Sequence, residues 1–248
     1  KRMYKYNPIE DCYATKKKIH IFRDEINKLR SSKKKIEIFD FGCGNALDCA
    51  RYLINKVDEY YGYDIHYESI KFANKSFGSK NIIFSNKLPK KKFDVIIISE
   101  VLEHLDQPDQ ILNLLKANLK NNGFILGSIP NGYGLTEIEK FIIHKFFIYK
   151  IIRYIYKFFR KKTLLNKNIP FNYESGHIQF FTLKKFKGIV FKNNLLIKFI
   201  KNGTLLGADL TGSTILKPDI MKKLNTYLAD FIPGFMSATW IFKLQKNE

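Results

Sequence analysis

Ile36-Glu37-Ile38-Phe39-Asp40-Phe41-Gly42-Cys43-Gly44-Asn45-Ala46-Leu47 is the stretch on which the fold turns. Its first six residues form a short apolar run rich in strand formers, and two glycines interrupt it. Apolar residues then recur at helical spacing through Ala46, Leu47, Ala50, Leu53 and Ile54. The pattern predicts a strand, a tight turn and a helix. Glycine suits the turn because a residue without Cβ lets the backbone approach a ligand and expose amide N–H groups.

Working outward, the alternation continues. Residues 59–64 predict a second strand, Ser69, Ile70, Phe72 and Ala73 a helix, and 82–84 a third strand. Residues 93–98 are a continuous apolar run of the kind buried on both faces of a parallel sheet. A helix is expected over 107–119, ended by Asn121-Asn122-Gly123, with a fifth strand at 124–129 closed by Pro130. This β-α repetition predicts an α/β fold, a doubly wound and mostly parallel sheet whose ligands bind beyond the carboxyl ends of the strands. Later in the chain a helix is expected over 183–192, a strand over 195–200, a helix over 218–231 and an antiparallel terminal strand over 237–244. Ile19, Phe22, Ile26 and Leu29 predict an N-terminal helix.

Asp64 closes the second strand and lies 20 residues beyond Gly44, the distance at which a carboxylate can accept hydrogen bonds from both hydroxyls of a ribose. Dinucleotide and S-adenosylmethionine (SAM) sites share this geometry. The dinucleotide fingerprint, however, has glycine or alanine three positions after its second glycine, and here that residue is Leu47; the small residue is Ala46, two positions after. With Asp40 two positions ahead of Gly42, the stretch resembles the first motif of the class I SAM-dependent methyltransferases. Phe93-Asp94-Val95-Ile96-Ile97-Ile98-Ser99-Glu100-Val101-Leu102-Glu103-His104 is similar to the fourth-strand motif of the branch that holds ubiquinone-biosynthesis and small-molecule O-methyltransferases.

The resemblance implies a Rossmann-like fold with SAM as cofactor. Asp40 is then expected by the amino end of the cofactor's methionine part. Gly42, Gly44 and Ala46 belong at its backbone, Asp64 at the ribose and Ile65 on the adenine face. Ser99 and Glu100 belong at the methyl-transfer mouth. Asn86 is the expected adenine contact, by its side-chain amide. Transfer of a methyl group needs placement and, for a hydroxyl acceptor, a base. His104 is one expected base; His177, in a stretch resembling the family's H-x-x-x-[FY]-[ST] segment, is the other. The expected organisation is a helical lid at 1–32, a SAM-binding core at 33–130, a helical cap or insertion at 131–182 and the rest of the fold at 183–248.

Cys12, Cys43 and Cys49 show no metal-ligand spacing, so no metal site is expected and a reducing compartment is. No apolar run is long enough to cross a bilayer, so a cytoplasmic protein is expected. The formal net charge of +20 fits an anionic partner, and it fits equally an A+T-biased coding sequence that favours lysine. Residues 138–162, apolar and aromatic with interspersed Lys and Arg, admit three readings: a lid over the ligand edge, a helix lying peripherally on the inner face of the membrane, or a basic surface for RNA. Nucleic acid is not the expected partner, because Ser99-Glu100-Val101-Leu102 stands where a base-methylating enzyme carries N-P-P-[YF]. Similarity of 129–134 and of the C-terminal segment to methyltransferases of surface-polysaccharide assembly makes O-methylation of a small-molecule acceptor, a sugar or its precursor, the leading expectation. Methylation of a prenylated quinone or another lipid, and a catalytically silent SAM-binding scaffold, are the alternatives.

Overall fold

The computed structural model describes residues 13–134, 178–206 and 219–247. In chain order they form α1 (Tyr13–Ser32), β1 (Glu37–Phe41), α2 (Ala50–Leu53), β2 (Glu59–Tyr63), α3 (Tyr67–Phe77), β3 (Ile82–Ser85), β4 (Phe93–Ser99), α4 (Pro108–Ala117), β5 (Leu119–Pro130), α5 (Leu183–Lys192), β6 (Leu195–Asn202), α6 (Asp219–Leu228) and β7 (Thr239–Lys246). One seven-stranded sheet runs in the order β3-β2-β1-β4-β5-β7-β6. The pairs β3–β2, β2–β1, β1–β4 and β4–β5 are parallel, and β7 is antiparallel to both β5 and β6. The chain therefore reverses its winding between β1 and β4, and such a switch point opens a crevice at the carboxyl ends of these strands. This is the Rossmann-like sheet with an antiparallel C-terminal strand that the sequence predicts.

Strand alternation explains how both faces are covered. Ile38, Val95, Ile97 and Leu126 point into one cluster with Ile19, Phe22 and Ile26 of α1 and Ile70 and Ala73 of α3. Phe39, Ile96, Ile98 and Ile125 point into the other with Leu112 and Leu115 of α4 and Phe186 and Val190 of α5. Trp240 and Phe242 of β7 extend that second cluster, and the Trp240 indole N–H donates to the Gly234 carbonyl at 2.7 Å.

Three local expectations are corrected. The helix expected from Ala46 begins at Ala50, because 45–49 form turns and Ala46 sits at φ 68°. The helix expected to reach Leu119 ends at Ala117; Leu119 is already in β5, buried and paired with Phe93, so Asn121-Asn122-Gly123 lies inside that strand. The late helix is also shorter than expected, since α6 passes into a 3-10 turn at Ala229–Phe231.

At the opposite edge of the sheet from the crevice, Asp94 accepts hydrogen bonds from the Glu37 amide at 2.9 Å, from Lys120 at 3.1 Å and from Lys33. Lys120 also bonds Glu37. Buried carboxylates persist when paired in this way, and these clamp the starts of β1, β4 and β5.

Candidate cofactor and methyl-transfer site

The glycine turn is tied to β2 by its backbone. The amides of Gly42 and Cys43 both donate to the Tyr63 carbonyl, at 2.7 and 2.9 Å. Gly42, Gly44 and Ala46 have φ of 78°, 53° and 68°, the left-handed region that glycine enters freely and alanine enters at a cost. A Cβ on Gly42 would stand 2.4 Å from Val101 Cγ2, so glycine is required there by space as well as by conformation. A Cβ on Gly44 would meet no heavy atom within 4 Å. The turn thus encloses a cradle that side chains leave open.

Asp64 braces this turn from the end of β2. Its Oδ2 accepts from the Gly44 amide at 2.8 Å and its Oδ1 from the His66 amide at 2.8 Å. An ionised carboxylate offers about four acceptor positions, so two remain for ribose hydroxyls. Ile65 follows with its side chain largely in solvent, at 80% exposure. Asn86, just past β3, is exposed.

Asp40 lies under the turn, buried, and accepts a hydrogen bond from the Tyr60 hydroxyl. Burial pushes its carboxyl up to about 7; the nearby Asp48 and Asp64 charges push the same way, while Tyr60 and Lys18 oppose them. Across the crevice, Ser99 ends β4 and Glu100 follows at φ 54°. Ser128 joins the two residues: its hydroxyl donates to Glu100 Oε1 at 2.6 Å and lies 3.0 Å from Ser99 Oγ. The structure therefore brings Asp40, Gly42, Gly44, Ala46, Asp64, Ser99 and Glu100 to one sheet edge.

Beyond Glu100, a 3-10 turn at Leu102–His104 places an acidic and a basic side chain together. Glu103 is fully buried, neither carboxylate oxygen has a hydrogen-bond partner among the described residues, and burial together with the Glu100 charge pushes its carboxyl up to about 9. His104 is half-buried, with Nε2 3.7 Å from Glu103 Oε1. His177 lies outside the described residues. The chain just after it returns to this point, for the amides of Ile178 and Gln179 both donate to the Glu103 carbonyl at 2.9 Å.

Two site-lining groups escape sequence reading. Lys18 of α1 reaches the crevice, where its ammonium donates to Asp48 Oδ2 and to Ser99 Oγ, each at 2.7 Å. The available signal was phase: Lys18 precedes Phe22 by four residues and Ile26 by eight, which puts it on the buried stripe of the helix. Asp48, in the turn after Gly44, carried no pattern of its own.

A doubly wound sheet with a glycine turn at its switch point, an acidic residue at the end of β2 and carboxylates facing the crevice defines a nucleoside-cofactor enzyme. The sequence profile of a methyltransferase domain matches residues 14–197, and the chain belongs to that family, the class I SAM-dependent methyltransferases. No curated protein matches it by sequence. Among solved structures it is similar to a SAM-dependent methyltransferase from Clostridium acetobutylicum, at 11% identity and TM-score 0.56, covering 94% of this chain and 92% of that one. It is similar also to PKMT2 from Rickettsia typhi in complex with AdoHcy, at 17% identity and TM-score 0.52; 86% of this chain aligns, but it spans only 49% of that protein's length. The 4+2 cyclase SpnF shares the fold at 12% identity and TM-score 0.55, with 91% and 80% covered.

The cofactor is SAM, which supplies a methyl group on a positively charged sulfur. The residues present fit it: an open turn that a side chain at Gly44 would not crowd, a carboxylate with acceptor positions left over, and acidic groups where positive charge is to be held. Among the described residues no helix is long and apolar enough to cross a membrane.

Proposed function

We propose that the protein methylates an oxygen of a small hydroxylated acceptor, a sugar of a surface glycan or its precursor. The observation that supports this reading is the position of His104 in the 3-10 turn that follows β4 and Glu100, with its Nε2 3.7 Å from the buried Glu103 carboxyl. An alcohol must shed its proton as its oxygen is methylated, and an imidazole beside the acceptor is suited to receive it. Asp64 and the glycine turn bind and orient the cofactor, Asp40 and Glu100 hold positive charge at its methionine end, and in-line placement of the acceptor supplies much of the rate. His177 is the second base in this proposal, since the adjoining Ile178 and Gln179 are fastened to Glu103. Because one fold hosts many chemistries, the acceptor is argued from these groups and not from the likeness to other structures.

The test is transfer of a labelled methyl group from SAM to free, nucleotide-linked and lipid-linked sugars, compared with proteins and nucleic acids. The proposal expects label in an O-methyl sugar and a loss of about 100-fold or more in His104→Ala or His177→Ala. Label only in protein amines or in nucleic acid would overturn it.

A second reading is an acceptor borne on a lipid at an anionic membrane surface; residues 138–162, expected to dock there, lie outside the described residues, and α6 with the residues after it favours the reading independently. Ile220, Leu224, Tyr227, Leu228 and Phe231 form an exposed apolar stripe, whereas Asn225 of the same helix is buried and bonded to the backbone of Leu206. With a net charge of +20 such a stripe suits anionic lipid. Sedimentation with anionic vesicles, abolished by Ile220→Asp with Phe231→Asp, would support it; recovery of the unmutated protein in the supernatant would remove it.

A further inference from the structure

The ligand edge of the sheet is lined by carboxyl groups, and among the described residues these offer nothing to one part of the cofactor. Asp40, Asp48, Asp64 and Glu100 all stand around the glycine turn and the end of β4. They suit the sulfonium and the ammonium of SAM. The α-carboxylate on the same methionine tail would be repelled by each of them that is ionised.

Into this acidic edge α1 delivers an ammonium group. The Lys18 side chain is only 7% exposed, and its nitrogen donates to Asp48 Oδ2 and Ser99 Oγ at 2.7 Å each. An ammonium has three donors, so one is left over from these two bonds. Burial opposes the charge on Lys18, but the charges of Asp48 and Glu100 outweigh it and hold the proton more firmly than on a free lysine. A lysine needed only to neutralise Asp48 could do so in solvent, where the Asp48 side chain is already 47% exposed. Sinking it to the level of Ser99 costs desolvation that a surface pair avoids.

The helix is fixed so as to keep it there. Ile19, Phe22 and Ile26 are buried in the core; Lys17, the next residue back, donates to the Thr226 carbonyl at 3.2 Å and to Asp230 at 2.7 Å; and Thr15 Oγ1 lies 3.5 Å from Asp48 Oδ1. The cation is thus placed before any ligand arrives.

We infer that Lys18 is the counter-ion of the cofactor's α-carboxylate, so that α1 supplies part of the SAM site and discriminates ligands that carry the amino-acid tail from those that lack it. The inference rests on SAM being the cofactor bound at the glycine turn.

The experiment is calorimetric titration of the full chain and of Lys18→Met with S-adenosylhomocysteine and with methylthioadenosine, which keeps the nucleoside and lacks the amino-acid tail. Lys18→Met is expected to weaken S-adenosylhomocysteine about 10- to 100-fold while leaving methylthioadenosine within about threefold, since a charge-assisted pair is lost for one ligand only. Binding of methylthioadenosine doubles as proof that the cradle is intact. Lys18→Gln, which can still bond Asp48 and Ser99 but carries no charge, gives the same change in ratio and serves if Lys18→Met does not fold. Equal weakening of both ligands would assign Lys18 to holding α1 in place, and no weakening of either would remove it from the site; both results overturn the inference. Failure of the unmutated chain to bind either ligand would overturn the cofactor assignment itself, and the inference with it.

Discussion

Replacing Asp64 by Asn changes one atom and should damage the turn and the cofactor site together. In the folded protein the two carboxylate oxygens receive the Gly44 and His66 amides, both at 2.8 Å. Asparagine has one oxygen; its amide nitrogen must face one of those N–H groups, donor against donor. Hydrogen bonds to a charged acceptor contribute about 1.5–3 kcal/mol each, and Asp64 is partly exposed, so water will recover part of the loss. A net destabilisation of about 1–2 kcal/mol follows, which for a chain of this size lowers Tm by about 2–8 °C. The acceptor positions left for ribose hydroxyls are diminished as well, and affinity for S-adenosylhomocysteine should fall about 10- to 100-fold. Because methylthioadenosine keeps the ribose, it should weaken to the same degree, unlike its behaviour with Lys18→Met. Differential scanning calorimetry and isothermal titration read the two effects. Unchanged Tm together with unchanged affinity in Asp64→Asn would refute the reasoning from the turn.

Three further outcomes follow from the same geometry. Asp40, raised to about 7 by burial, binds its proton more tightly folded than unfolded, so ionising it as pH rises from about 4 through 7 costs stability; a cofactor ammonium favours the ionised form, so affinity for S-adenosylhomocysteine should drop up to about tenfold per unit below pH 7, and Asp40→Asn should flatten that slope in titrations at several pH values. Gly42→Ala puts a methyl group 2.4 Å from Val101 Cγ2 at φ 78° and should destabilise by about 2–4 kcal/mol; the double variant with Val101→Ala should recover the steric share and keep the conformational share in chemical denaturation. Asp94→Ala strips the partner from Lys33, Lys120 and the Glu37 amide, and should cost about 3–5 kcal/mol in denaturation while leaving the ligand affinity of the folded fraction unchanged, since the cluster lies at the far edge of the sheet.

Most of the sheet was legible because its strands are short apolar runs between glycine, asparagine and proline, and because the alternation within Phe93–Ser99 serves two buried faces at once. The central cradle residues were legible for the same reason, since glycines after a strand and an acid after the next have few other uses in combination. The errors have local causes. Ala46 and Leu47 continue the apolar phase of the following helix, but Ala46 adopts a left-handed φ that no helix contains. Leu119 is in phase with Leu112 and Leu115 of α4, yet its backbone pairs with Phe93, so tertiary pairing overrides periodicity. Lys18 was hidden in the run Lys16-Lys17-Lys18, which reads as solvated charge until the neighbours of its ammonium are seen. Glu103, whose carboxyl oxygens have no hydrogen-bond partner among the described residues, had no signature either, because burial of a carboxyl group depends on what folds over it.

The most direct test of the central claim, that the glycine turn and Asp64 hold SAM, is titration of the purified chain with S-adenosylhomocysteine and, separately, with NADH. Micromolar binding of S-adenosylhomocysteine and none of NADH is the predicted result; binding of NADH alone, or of neither, would contradict it.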